Sequence, residues 1–151
     1  MGNEQSFFRV IEETGYLAYT IRGTSMRPLL REGKDVVLIE KPKEHWKKYD
    51  TVLFMRKNGQ YVLHRIIKIL DGKCWIMGDN CLSGEMVNDN QIIGIMTFVK
   101  RDGKTISITD LRYRLYVYLW CAPYRIRVFL IKSKYLAYKC YMFMKRKVFG
   151  K

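Results

Sequence analysis

Three turn signals constrain this chain more than any other feature: Asn58-Gly59, Asp71-Gly72 and Asp102-Gly103. Each pairs a residue that tolerates positive φ with a glycine, and each lies between segments rich in β-branched and aromatic residues. Each therefore predicts a hairpin. The segments are Tyr61–Leu70, preceded by Thr51–Met55 and followed by Cys74–Met77, and then Ile92–Lys100 with Thr105–Ile108. Upstream, Tyr16–Ile21 and Asp35–Ile39 read as two more strands, the second stopped by Pro42. Before them Phe7, Phe8 and Ile11 form an apolar stripe consistent with a short helix from about Glu4 to Glu13, ended by Gly15. Short strands joined by tight turns, with almost no helix between them, predict a mainly β domain whose antiparallel sheet folds over on itself.

The pattern changes after Asp110. Of 28 Lys and Arg residues, 17 lie up to Asp110 alongside all 14 acids, whereas residues 111–151 hold 11 basic residues and no acid. The same stretch carries 11 of the 21 aromatic residues. From Leu111 the apolar period is helical, interrupted at Pro123 and resuming from Arg127 to Met144. We therefore divide the chain into a near-neutral β domain, 1–110, and a basic, aromatic, helical tail, 111–151. The longest charge-free stretch of the tail is the ten residues Leu115–Tyr124, against the roughly 20 needed to cross a bilayer. No basic region followed by an apolar run marks a secretory signal at the N-terminus, although Gly2 with Ser6 fits the short myristoylation pattern. The four cysteines (Cys74, Cys81, Cys121, Cys140) show no C-x-x-C or Cys/His spacing, so we expect no metal or cofactor.

Three places carry candidate chemistry. Ser25 sits in Gly23-Thr24-Ser25-Met26-Arg27-Pro28, where a glycine permits a sharp bend and Leu29 and Leu30 anchor it. Such a bend suits a nucleophile with nearby amides left for an oxyanion, and it equally suits a helix N-cap. His64, in Leu63-His64-Arg65-Ile66, lies within a predicted strand, as either a core histidine or a general base. A neutral imidazole with a reference pKa near 6.5 can accept a serine proton at neutral pH. His45 lies in a polar loop and reads as solvated. Gly78-Asp79-Asn80 is a common turn that also places an acid where it can orient an imidazole. Asp89 is the second candidate for that role, and Asp35 and Asp50 read as turn or pairing residues.

Taken in order, these pieces resemble type I signal peptidases. Gly23-Thr24-Ser25-Met26-Arg27-Pro28-Leu29-Leu30 is similar to the G-x-S-M-x-P-x-L box. Lys34-Asp35-Val36-Val37 and Tyr49-Asp50-Thr51-Val52 resemble two G-D-x-V elements, with Lys34 and Tyr49 in place of glycine. Leu63-His64-Arg65-Ile66 resembles the box of the general base, and Gly78-Asp79-Asn80 the G-D-N box. The likeness runs from about Tyr16 to Ile95. Bacterial members and the self-cleaving SOS repressors usually carry Lys at the second box. The His64 variant resembles the archaeal and endoplasmic-reticulum branch, thought to use Ser, His and Asp.

The resemblance implies a half-barrel of the signal-peptidase type and a serine endopeptidase that removes a signal or leader segment through an acyl-enzyme. It implies Ser25 as nucleophile, His64 as base and Asp79 as orienting acid, with Asp89 in reserve. Gly23, Thr24 and Met26 would surround substrate and oxyanion, the Ser25 N–H donating. The expected partner is an extended peptide or precursor bound as an added strand. The family's usual N-terminal membrane anchor is not seen. The tail instead suits peripheral adhesion to an anionic membrane surface, expected at the cytoplasmic face. Aromatics among basic residues also suit nucleic acid, but nothing in the β region supports that, and no nucleic acid is expected. The contrasting reading is a non-catalytic, membrane-associated adaptor that binds peptides on the same fold.

Overall fold

The computed structural model describes residues 7–42 and 45–149. The beginning of the expected first helix and the Gly2/Ser6 pattern lie outside them. Helix α1 (Phe7–Thr14) buries Ile11 and ends where Gly15 takes φ 83°. The strands are β1 (Tyr16–Thr20), β2 (Val36–Glu40), β3 (Thr51–Met55), β4 (Tyr61–Leu70), β5 (Lys73–Met77), β6 (Glu85–Asn88), β7 (Ile92–Arg101) and β8 (Lys104–Ser107). They form one antiparallel half-barrel sheet in the order β1-β2-β7-β3-β4-β5-β6, with β8 also paired to β7.

All three turn signals connect antiparallel neighbours: β3 to β4, β4 to β5 and β7 to β8. The glycines Gly59, Gly72 and Gly103 all have positive φ. Register shifts at Leu38/Ile39, Leu53/Phe54 and Ile66/Lys68 bend the sheet, as an extra residue on one strand of a pair does. The bend encloses apolar side chains on both faces. Leu53 joins Leu17, Val37, Ile39 and Met96 in one cluster, while Val52 and Phe54 join Ile66, Ile76 and Val87 in another. This is why β3 reads as an unbroken apolar run instead of an alternating one.

Two elements depart from expectation. Strand β6 has too short and polar a sequence, Glu-Met-Val-Asn, to signal a strand; it exists because β5 offers it an edge. The region after Asp110 is not a uniform tail. Helix α2 (Leu111–Tyr116) runs through a π-helical turn, Val117–Cys121, into α3 (Tyr124–Phe149). Tyr113, Cys121 and Arg127 are buried against the β domain, whereas every residue from Lys132 to Lys147 is exposed. Pro123 immediately precedes α3, and its carbonyl accepts the Arg127 N–H at 3.1 Å. A proline is tolerated at a helix start because the N–H it lacks is not required there, so α3 begins before the expected Arg127. No described helix is long and apolar enough to cross a membrane.

Candidate active site

The Ser25 loop, between β1 and β2, is folded on itself and pinned at both ends. Arg27 N–H donates to the Thr24 carbonyl at 3.2 Å and Leu30 N–H to the Met26 carbonyl at 2.9 Å. Met26 and Leu30 are buried in the first apolar cluster. Gly23, at φ 85°, donates its N–H to Glu32 Oε1 at 2.6 Å; a side chain there would meet no neighbour but would strain the backbone. At the base of the loop Asp35, fully buried, accepts from Arg31 N, Arg31 Nε and Arg101 Nε at 2.9, 3.0 and 3.0 Å. Burial opposes its charge, yet the hydrogen bonds from Arg101 and Arg31 hold its pKa below the ordinary carboxylate value. No helix follows Ser25, so its side chain is not a helix cap.

The Gly78–Asn80 turn grips this loop from the other side. Asn80 N–H donates to the Ser25 carbonyl at 2.7 Å and Asn80 Nδ2 to the Thr24 carbonyl at 3.3 Å. Gly78 is wedged between the two: a Cβ there would lie 2.7 Å from the Ser25 carbonyl oxygen, 2.7 Å from Cys81 Sγ and 3.0 Å from His64 Nε2. This glycine is required by space, not by backbone conformation. Gly78→Ala should push Ser25 and His64 apart and lower stability by about 1–3 kcal/mol, the usual cost of overpacking. A thermal melt will check this; an alanine variant that melts with the parent would show that the packing is slack.

His64, on β4 opposite Val52, is only 7% exposed. Its Nε2 faces the Ser25–Gly78 junction, while its Nδ1 is 3.8 Å from Glu85 Oε1 on β6. Buried Nδ1 has no hydrogen-bond partner among the described residues. Burial pushes the His64 pKa down to about 4, with Glu85 the largest opposing influence and Arg56 reinforcing the fall. Glu85 is itself held in a two-point grip, Arg56 Nε to Oε2 at 2.9 Å and Arg56 Nη2 to Oε1 at 2.5 Å.

Neither aspartate proposed as the orienting acid faces His64. Asp79 is fully buried and accepts from Arg65 Nε at 2.9 Å, Arg65 Nη2 at 2.8 Å and the Tyr116 hydroxyl at 2.9 Å. Arg127 Nη1 reaches it from α3 at 3.5 Å. Burial works against the Arg65 charge, but Asp79 outweighs it and holds the Arg65 pKa well above its ordinary value. The Asp79 carboxylate is thus a structural hub behind the turn, and it reaches His64 only as a weaker through-space charge. Asp89 lies farther along, accepting from Trp46 Nε1 at 3.1 Å and from Cys74 Sγ at 3.8 Å. The acid nearest the imidazole is Glu85, which sequence reasoning did not single out.

Ser25 and His64 share a cleft of about 700 Å³ with Gly23, Thr24, Met26 and Cys81. No hydrogen bond joins the two, and among the described residues neither the Ser25 hydroxyl nor its N–H is engaged. Two strand edges open on the cleft. Among the described strands β1 pairs only with β2, and Tyr19, just before its end, lines the cleft. Strand β5 pairs with β4 only from Arg65 onward, which leaves one edge of Val62–His64 without a strand partner among the described residues. At the far end Phe7 of α1 packs edge-on against Tyr19 and at a tilt against Tyr61, ring centroids 4.9 and 4.8 Å apart.

No protein-family model matches the chain, and no curated protein matches it. The functional reading therefore stands on the site itself. The described residues hold no group of three or more His, Cys, Asp or Glu able to bind a metal ion.

Proposed function

We propose that this chain is a serine endopeptidase of the signal-peptidase type, cleaving an extended signal or leader segment through an acyl-enzyme. The observation that carries the reading is the meeting of Ser25 and His64 in one cleft bounded by two open strand edges, with Glu85 3.8 Å behind His64 Nδ1. An extended peptide entering there gains main-chain hydrogen bonds as an added strand. A small side chain next to the scissile bond is what the family resemblance implies for the substrate. Ser25 Oγ attacks the carbonyl while His64 Nε2 takes its proton, and the free Ser25 N–H donates to the oxyanion. The charge that develops on the imidazole faces Glu85 across Nδ1. His64 then returns the proton to the leaving amine, and water releases the acyl group.

A feature of the second G-D-x-V element supports the family resemblance. Tyr49, in the glycine position, has φ 76°, a conformation that costs an ordinary residue about 1–2 kcal/mol. Arg65 Nη1 holds it there by donating to the Tyr49 carbonyl at 2.9 Å. We further infer that residues 111–151 adhere to an anionic membrane surface such as the cytoplasmic leaflet presents, since they combine 11 basic residues with no acid.

A fluorophosphonate probe reads the serine directly. It should label the parent protein and leave Ser25→Ala unlabelled, with both melting at the same temperature. A folded parent that binds an extended peptide yet never labels would be an adaptor, and the peptidase reading would fall.

A further inference from the structure

A second cleft, of about 810 Å³, lies between α2 and the β domain and shares no lining residue with the Ser25 site. Met96 and Ile108 line it from the sheet side, and Leu111, Leu115, Val117 and Tyr118 from the helical side. Cationic Lys47, Lys48 and Arg114 complete it. Its acid, Asp50, is turned to its own loop, accepting the Lys47 N–H at 2.7 Å. The helical wall does not stop at the cleft. Leu111, Leu115, Tyr118 and Leu119 are 71, 48, 73 and 67% exposed, an apolar group that monomeric proteins rarely leave open without a partner. Beyond it α3 continues with exposed Phe129, Leu130, Tyr135 and Leu136 among basic residues, Arg125, Lys132 and Lys139 recurring every seven positions along one side.

We propose that this face, α2 with the adjoining cleft, is the part of the protein that docks on a bilayer of anionic phospholipid. The leucines and Tyr118 enter the interface, and Lys48 and Arg114 meet phosphate groups at its border. The charge selects the occupant: a surface with no acid after Asp110 is repelled by basic partners, and its apolar side chains have no use for a purely polyanionic one. Exposed Leu, Tyr and Phe interleaved with Lys and Arg match a region that is apolar below and negative above. This proposal rests on the membrane reading given above and is independent of the peptidase chemistry.

The test uses the full chain carrying Ser25→Ala and phosphatidylcholine vesicles with and without phosphatidylglycerol, in a sedimentation assay. The parent should bind the anionic vesicles and bind the neutral ones far less. Leu115→Gln with Leu119→Gln should weaken anionic-vesicle binding about tenfold or more, without lowering the melting temperature, since both side chains are exposed. Lys48→Gln with Arg114→Gln should reduce the preference for anionic over neutral vesicles roughly tenfold. If the parent binds while both double variants bind equally well, this docking face is wrong and the adhesion lies elsewhere. A parent that ignores anionic vesicles, or prefers single-stranded DNA to them, would overturn the membrane reading itself. Neither result touches Ser25.

Discussion

On the proposed peptidase reading, replacing His64 by Ala should lower kcat/KM on a cleaved peptide by roughly 10²–10⁴, the usual contribution of a positioned general base. The pH profile separates this role from a packing role. Burial pushes the His64 pKa from 6.5 down to about 4, so the imidazole is neutral, and able to accept a proton, at any pH above about 4. The acid limb of kcat/KM should accordingly lie near pH 4 and not near the ordinary histidine value. Stability follows the same sign. Above the unfolded pKa the contribution of neutral His64 is fully present, and it is lost as the pH falls through the folded pKa, because the unfolded chain takes up the proton first.

Glu85→Gln removes the charge that opposes this depression, so the acid limb should move still lower while kcat falls. A Glu85→Gln profile that overlays the parent would exclude Glu85 as the group facing the imidazolium. Loss of kcat in the Gln variant, with partial recovery in Glu85→Asp, would fit a carboxylate that acts through His64.

The largest structural effect is expected at Asp79. Asp79→Ala leaves the Arg65 guanidinium fully buried and Arg127 only 1% exposed, both without their carboxylate. Breaking a buried pair in this way costs about 3–5 kcal/mol, a large share of the roughly 5–15 kcal/mol by which a domain is stable. At this chain length the melting temperature should drop by about 6–20 °C. Calorimetry on the variant decides between the two roles assigned to this residue. A purely catalytic acid would lose turnover with its melt intact, whereas the hub loses its melt. A shift under a couple of degrees would mean that the hub carries little of the stability.

The same hub ties the start of the helical segment to the β domain. Tyr116 and Arg127 reach Asp79 from the helical segment, and Trp120 Nε1 donates to the Asp79 carbonyl at 3.4 Å. In sequence Arg127 is one basic residue among many. Its burial depends on an acid 48 positions away, which no local pattern reveals. Cys121, deep in this cluster, behaves as a buried thiol: burial first, then the Asp79 charge, pushes its pKa up to about 12.

Strands and turns were legible because their signals are local. Asn58-Gly59 and Asp71-Gly72 favour positive φ whatever surrounds them, and β3 and β4 occupy the expected ranges, Thr51–Met55 and Tyr61–Leu70. Strand β6 was not legible, since four residues carry no period and are ordered by pairing with β5. That omission concealed Glu85. The G-D-N turn was read as a source of a carboxylate for His64, but the side chain that reaches the Ser25 loop is Asn80, at the Thr24 carbonyl, while Asp79 turns away to two arginines.

The sequence by itself determined the antiparallel strands, the glycine-bounded Ser25 bend, His64 within a strand and the charge division at Asp110, all set within a few residues. Only the tertiary structure decided which carboxylate faces the imidazole and how much of the helical segment belongs to the β domain. Both depend on side chains from distant strands and helices competing for the same buried charges, and that competition is settled by packing rather than by local order.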